Sequence, residues 1–407
     1  MASRGRIAGI VAAGLLAGPL LAVFPATVST YTVSAYAVAP AVARAAACGP
    51  VVKAPLRDQP WPLRRLRPDL VWPLTRGAGV TVAVIDSGVS DNHPALAGRV
   101  LDGVDLVSPG TGKCDAVGHG TMIGGIIAGG PTEGSGFTGI APDAKILPLR
   151  VLESDERSFD EEHPRRIAQA IRIATDRGAS VINLSLTTVP IPQLGEAIEY
   201  AVDHDVVIVA AAGNTNGAAR PGQPSYPAAY DGVIGVAGID EAGNHVSSSI
   251  SGDFVDVAAP GLQIAGPAAQ GGGFDVKPTG GTSFSTAYVS GVVALVRAYR
   301  PDLDAAEVIR RIVRTADRPA DGWDPFVGAG VVNPYWAVVS VAGEEEGQRA
   351  PARVVLSPPE ADPLRGVRAI AAWAILLAVV VSALVLASVS VVRRGRERGW
   401  RPGSRAL

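Results

Sequence analysis

Three short motifs each carry one side chain that could take part in acyl transfer. Asp86 follows the apolar run Val80–Ile85 and begins the sequence Asp-Ser-Gly. His119 lies in Gly-His-Gly-Thr, and Ser283 ends Gly-Thr-Ser just before an apolar stretch. Cleavage of a peptide bond at neutral pH needs a nucleophile, a base that takes its proton and a group that orients the base. Together the three motifs predict a serine peptidase.

Each motif taken alone also has an ordinary structural explanation. An aspartate at the end of a strand often caps a turn, and a histidine between glycines can be a purely structural residue. A serine at a helix start is a common N-cap, a role that Ser285 and Thr286 could fill equally well. The catalytic interpretation therefore depends on the joint occurrence of the three motifs.

The elements that must position these side chains form an alternating pattern. Short apolar runs alternate with amphipathic helices, which predicts a parallel sheet covered on both faces. The predicted strands are Val80–Ile85, Ile146–Val151, Val181–Leu186, Val206–Ala211 and Val233–Ile239. The predicted helices are Pro164–Arg177, Leu194–His204 and a third that opens with the capping box of Asp304 and Glu307 and ends near Arg314.

The order Asp86, His119, Ser283 within these motifs resembles that of the subtilisin-like serine peptidases, the subtilases, over about residues 78–335. The resemblance implies a subtilisin-like three-layer α/β fold with a mostly parallel central sheet, and it implies that the three residues form a catalytic triad. It also implies that Asn214, in Ala-Ala-Gly-Asn, donates to the oxyanion together with the backbone N–H of Ser283.

The same resemblance assigns substrate binding to Ser185, Leu186 and Thr187, along which an extended peptide would add as a strand. The family usually has glycine where this chain has Thr187, so we expect a narrower first specificity pocket. It usually has proline where this chain has Ala287. Alanine at position 287 is compatible with the helix that follows Ser283. Because no catalytic atom belongs to this residue, we expect the difference to leave activity intact.

Two apolar segments lie outside the region of resemblance. Ile7–Phe24 follows Arg4 and Arg6 and precedes several small-residue cleavage patterns, so residues 1–47 are predicted to be a signal peptide. An uncleaved N-terminal anchor is the alternative.

The second apolar segment, Ala369–Val392, contains no charged residue. As a helix it would reach about 36 Å, enough to cross a hydrocarbon core of about 30 Å. We therefore predict a transmembrane helix over residues 367–392, with a buried core helix as the alternative. The arginine-rich residues 393–407 are predicted to be cytoplasmic by the positive-inside rule, which places the catalytic domain outside the cell membrane.

Between these segments we predict an N-terminal extension at residues 48–77, a peptidase domain at 78–340 and a Pro-rich linker at 341–366. Cys48 and Cys114 are the two cysteines of the chain, and in an exported protein such a pair predicts a disulfide. Lipidation of Cys48 is the alternative.

The signal segment, the cysteine-bearing extension, the linker and the terminal anchor resemble the mycosins, membrane-bound subtilases of type VII secretion in actinobacteria. This resemblance implies either an active endopeptidase of secreted proteins or a structural component of a secretion complex. A net charge of −2 with 18% charged residues gives no indication of nucleic-acid binding. The acidic run Glu153–Glu162 matches no calcium loop, so no cofactor is predicted, although structural calcium stays open as a family property.

Overall fold

The computed structural model describes residues 48–153, 162–215, 222–320, 322–341 and 365–400. The predicted signal peptide lies outside the described residues, as do most of the acidic run, most of the linker and the end of the basic tail.

Within this described part of the chain, seven parallel strands form one sheet in the order β2-β3-β1-β4-β5-β6-β7, and two antiparallel strands, β8 and β9, form a second sheet. The strands are β1 Thr81–Asp86, β2 Val104–Asp105, β3 Lys145–Arg150, β4 Val181–Leu184, β5 Val207–Ala211, β6 Val233–Ile239, β7 Val257–Pro260, β8 Ile264–Pro267 and β9 Phe274–Lys277. The helices are α1 Trp61–Leu66, α2 His119–Ala128, α3 Glu162–Asp176, α4 Pro192–Asp203, α5 Thr282–Tyr299, α6 Ala305–Arg314, α7 Pro334–Val339 and α8 Arg365–Glu397.

The strands are apolar on both faces because helices cover the sheet on both sides. Successive side chains of a strand point to opposite faces, and β1 follows this rule. Val82 and Val84 pack in the core that contains α2 and α5, whereas Ala83 and Ile85 pack in the core that contains α3 and α4. The predicted three-layer α/β arrangement is therefore confirmed.

The sheet order brings three of the predicted site residues to the carboxyl ends of neighbouring strands. β1 lies between β3 and β4. The chain runs from β1 to β2 and β3 on one side of it and then crosses to β4 on the other side. Such a reversal of strand order opens a crevice at the carboxyl ends of the strands. Asp86 ends β1, Ser185 follows β4 and Asn214 follows β5.

The predicted strands and helices agree with the observed ones to within one or two residues. The capping box of α6 is present, since Asp304 Oδ1 accepts from Glu307 N at 2.7 Å and Asp304 N donates to Glu307 Oε2 at 3.0 Å. The hairpin of β8 and β9 was not predicted, because Ile264–Pro267 has alanine, glycine and proline in place of an alternating apolar pattern.

The N-terminal extension packs along the peptidase domain. Val52 N donates to Gln270 O at 2.9 Å, and the indole N–H groups of Trp61 and Trp72 donate to the carbonyls of Leu262 and Ile140 at 3.0 Å each. The predicted disulfide is confirmed, because Cys48 and Cys114 are bonded.

Removal of this disulfide, by Cys48→Ser with Cys114→Ser, is expected to lower the free energy of unfolding by about 4 kcal/mol, because the bond closes a long loop in the unfolded chain. The two cysteines are 66 positions apart. The measurement is the midpoint of denaturant unfolding, with a reductant-treated wild type as control. Equal midpoints for the oxidised wild type and the variant would contradict the prediction.

The predicted membrane span at residues 367–392 falls within helix α8. In the described ranges, no helix combines the length and the apolar character that a membrane crossing requires.

Candidate active site

Asp86 is the last residue of β1 and is fully buried. Its Oδ1 atom accepts hydrogen bonds from Ser87 N at 2.7 Å and from the His119 ring at 2.8 Å, and Ser87 Oγ lies 3.1 Å from the same atom. A buried carboxylate is costly unless it is hydrogen-bonded, and these donors satisfy the Oδ1 atom. Asp86 and the ring of His119 are therefore held in contact by this hydrogen bond.

His119 is the first residue of α2, and glycines on both sides allow its approach to β1. Gly118 has a φ of 85°, in the left-handed region that favours glycine. A Cβ on Gly120 would lie 2.1 Å from the carbonyl oxygen of Gly88, so only glycine lets the helix come this close to the turn after β1.

The orientation of the His119 ring determines which nitrogen can act as a base. Nδ1 lies 2.8 Å from Asp86 Oδ1, an acceptor, so Nδ1 carries the hydrogen. In the neutral ring Nε2 is then unprotonated and able to accept a proton. The side chain is 22% exposed, so the ring is partly accessible to solvent.

Ser283 is the second residue of α5. Its Oγ donates to the carbonyl oxygen of Ser185 at 2.9 Å, and Ser185 Oγ donates to the carbonyl oxygen of Ser283 at 2.8 Å. The ring of Phe284, the next residue, lies 5.5 Å from the ring of His119 between centroids. The start of α5 is thus adjacent to both β4 and the histidine.

The backbone N–H of Ser283 belongs to the first turn of α5, where N–H groups have no acceptor within the helix. The positive end of the helix dipole lies at the same place. An anion that forms beside Ser283 would be stabilised by both.

Asn214 follows β5 and contacts the same turn. Its Oδ1 atom accepts from Thr282 N at 3.1 Å. This hydrogen bond fixes the orientation of the amide with its oxygen toward the start of α5. The amide nitrogen, which is a donor, then points away from Thr282 N and can donate to a ligand.

The segment Ser185–Thr187 leaves β4 beside Ser283. Thr188 N donates to Tyr226 O at 2.9 Å, which secures the end of the segment. Asn183 supports its beginning, because Nδ2 donates to Ser185 Oγ at 2.9 Å and Oδ1 accepts from Ser290 Oγ at 3.0 Å. The segment next to Ser283 is therefore fixed by hydrogen bonds at both of its ends.

Two residues behind the histidine have no role predicted from the sequence. Ser87 and Asp115 are fully buried, and the Ser87 hydroxyl lies within hydrogen-bonding distance of both Asp86 and Asp115. The available signal was the polar residue beside Asp86 and an aspartate four positions before His119, neither of which is informative without the fold.

The structure contains no group of three or more histidine, cysteine, aspartate or glutamate side chains suited to a metal ion in the ranges that it describes. Most of the acidic run Glu153–Glu162 lies outside those ranges.

Comparison with known proteins gives consistent matches. The model of the subtilase family matches residues 77–330. Mycosin-4 of Mycobacterium tuberculosis is 40% identical over 308 residues, which are 67% of this chain and 67% of that relative.

Two solved structures match with a TM-score of 0.65 each. The MycP3 protease from the type VII (ESX-3) secretion system is 34% identical, with 71% of this chain and 92% of that chain covered. A chain of an intact ESX-5 inner membrane complex is 31% identical, with 84% of this chain and 93% of that chain covered.

Proposed function

Since the chain belongs to the subtilase family and is a subtilisin-like serine peptidase, we propose that Asp86, His119 and Ser283 are its catalytic triad. The observation that carries this proposal is the hydrogen bond of 2.8 Å between His119 Nδ1 and the fully buried Asp86. It directs Nε2 of the ring away from Asp86, as a general base requires.

In the proposed mechanism Ser283 Oγ attacks the carbonyl carbon of the peptide bond while its proton passes to His119 Nε2. Asp86 stabilises the imidazolium that forms. The oxyanion accepts hydrogen bonds from the Ser283 N–H and from Asn214 Nδ2. His119 then returns the proton to the amine as the C–N bond breaks, which leaves an acyl-enzyme.

Water completes the cycle by the same route. His119 takes a proton from water, the hydroxide attacks the ester, and Ser283 Oγ leaves with that proton. The nucleophile, the base and the oxyanion donors all belong to the chain, so the proposed chemistry requires no metal or cofactor.

The proposed substrate is an extended segment of a secreted protein that lies along Ser185, Leu186 and Thr187. The support is the position of this segment, because Ser185 O accepts the hydrogen bond of Ser283 Oγ. A peptide added there as a strand would present its backbone to the nucleophile.

The proposed location is the cell membrane, with the peptidase domain on the outer side. The support is the uncharged segment Ala369–Val392, the basic residues after it and the apolar segment Ile7–Phe24 near the start of the chain. Similarity to the MycP3 protease supports association with a type VII secretion system.

A second function, as a structural component of a secretion complex, is favoured by one observation. The chain of the intact ESX-5 inner membrane complex matches 84% of this chain, beyond the boundaries of the family model.

The test of catalysis is labelling of the full-length protein with a fluorophosphonate, which reacts with an activated serine. We expect stoichiometric labelling of the wild type and none of Ser283→Ala. Equal labelling of both proteins would overturn the proposed nucleophile. In the native host, secretion that survives Ser283→Ala would assign the structural function, whereas lost secretion would assign the catalytic one.

Replacement of Asn214 by aspartate should lower kcat by roughly 100- to 1,000-fold with little change in KM, because an oxyanion donor acts in the transition state. The carboxylate has nearly the same shape but cannot donate. Steady-state hydrolysis of a fluorogenic peptide measures the effect, and Asn214→Gln is the matched control that keeps the amide. A loss confined to KM would instead assign Asn214 to substrate binding.

A further inference from the structure

A second buried carboxylate lies behind the proposed triad. Asp115 is fully buried, and both of its oxygens are engaged. Oδ1 accepts from Gly118 N and from Ser87 Oγ at 2.8 Å each. Oδ2 accepts from Thr121 N at 2.7 Å and from Thr121 Oγ1 at 2.6 Å. With Val117 N, which donates to Oδ1 at 3.2 Å, five donors converge on a carboxylate that has no part in the chemistry described above.

These bonds hold the backbone on both sides of His119. Gly118, the N-cap of α2, has no side chain with which to cap the helix. Thr121 N is one of the first-turn N–H groups that lack an acceptor within the helix, and Asp115 supplies that acceptor from outside. A negative charge at this end of α2 also interacts favourably with the helix dipole.

The Ser87 hydroxyl connects this carboxylate to the triad. Ser87 Oγ lies 2.8 Å from Asp115 Oδ1 and 3.1 Å from Asp86 Oδ1, and it accepts from Gly120 N at 3.0 Å. A hydroxyl has one proton, so the two carboxylates compete for it, and the shorter distance favours Asp115. The position of Ser87 is thus set jointly by Asp115, Asp86 and the first turn of α2.

We propose that Asp115 is a positioning residue for peptide hydrolysis, which holds the His119 backbone and, through Ser87, the Asp86 carboxylate in register with each other. The proposal rests on the proposed triad and adds a residue to its support. Asp115 contacts neither substrate nor reacting atoms, so its effect is on the geometry of the pair. A displacement of about 1 Å in such a pair can cost on the order of 100-fold in rate.

The N-terminal extension secures Asp115 from the other side. The preceding residue, Cys114, is bonded to Cys48. A Cβ on Gly49 would lie 2.2 Å from the carbonyl oxygen of Asp115, so the extension packs directly on the backbone of this residue. Burial raises the pKa of Asp115, because the hydrogen bonds from Thr121, Gly118 and Ser87 only partly offset the loss of solvation.

The experiment compares Asp115→Asn, Ser87→Ala and Ser87→Thr in the full-length protein. Asp115→Asn and Ser87→Ala are expected to lower kcat about 10- to 100-fold with KM nearly unchanged, and Ser87→Thr, which restores the hydroxyl, should recover most of the loss. The matched control is Asp256→Asn at a partly buried aspartate, whose Oδ2 accepts from Gly235 N at 2.8 Å. Burial raises the pKa of Asp256 to about 6. Replacement of Asp256 by asparagine should change the stability of the protein without changing kcat.

A second readout does not require turnover. With the five histidines labelled with ¹⁵N, the proton on His119 Nδ1 reports the bond to Asp86 as a downfield ¹H resonance. We expect this resonance to shift or broaden in Asp115→Asn and Ser87→Ala at temperatures where both are folded, and to stay unchanged in Asp256→Asn.

The two readouts separate the failure of this proposal from the failure of the proposed function. A wild type that neither hydrolyses peptide nor reacts with fluorophosphonate would overturn the function, and the resonance would still judge Asp115. Wild-type kcat together with an unchanged resonance in Asp115→Asn would overturn the positioning role. If Asp115→Asn does not fold, the same two outcomes are decided by Ser87→Ala.

Discussion

Ser283→Ala is expected to lower kcat/KM for peptide hydrolysis by roughly four to six orders of magnitude. The substitution removes the nucleophilic oxygen, so no acyl-enzyme forms, and only binding and the oxyanion donors remain to accelerate attack by water. The lost hydrogen bond to Ser185 O is a small contribution to the fold. The measurement is hydrolysis of a quenched fluorescent peptide by purified full-length protein.

Ser285→Ala is the matched control on the same helix. Ser285 is fully buried, and its hydroxyl donates to Pro260 O at 3.1 Å. We expect a modest loss of stability of about 1 kcal/mol and nearly unchanged kcat. If Ser283→Ala retained activity within tenfold of the wild type while Ser285→Ala lost it, the assignment of the nucleophile would be wrong.

His119→Ala is expected to lower kcat by a comparable factor, roughly four to six orders of magnitude, because Ser283 then has no base to accept its proton. Alanine is a good helix former, so α2 should still begin at residue 119. Asp86 keeps the hydrogen bond from Ser87 N at 2.7 Å, which limits the cost of its burial. The measurement is kcat for peptide hydrolysis, and circular dichroism and thermal unfolding verify that His119→Ala is folded.

The double variant makes the test of His119 sharper. Residues that act as one unit give non-additive losses, so His119→Ala combined with Ser283→Ala should be no slower than Ser283→Ala alone. His204→Ala is the control, since His204 is exposed and its Nδ1 contacts Tyr200 O at 2.7 Å, on the far end of α4. Additive losses in the double variant would show that the two side chains do not act together.

Much of the fold was accessible from the sequence because its signals are local. The apolar run Val233–Ile239 predicts a strand with the observed bounds, and the spacing in Pro164–Arg177 predicts the helix observed at Glu162–Asp176. A strand buried on both faces needs a continuous apolar run, and a half-buried helix needs one apolar stripe. Strand β8, Ile264–Pro267, has neither a continuous run of large apolar residues nor an apolar stripe. The hairpin of β8 and β9 was therefore found only in the structure.

The chemical groups of the site could also be predicted from the sequence. Asp86, His119 and Ser283 stand in short motifs at the ends of predicted elements, and their residue types predict acyl transfer. The disulfide between Cys48 and Cys114 followed from the presence of two cysteines in an exported chain.

Only the tertiary structure decided how these groups meet. Asp86 and His119 are 33 positions apart, and Ser283 and Ser185 are 98 apart, yet each pair is hydrogen-bonded. Asp115 belongs to the site for the same reason. Residue type and local spacing report burial and chemistry, whereas partners across such separations depend on the order of strands in the sheet. That order is set by packing of the whole domain, which no local pattern encodes.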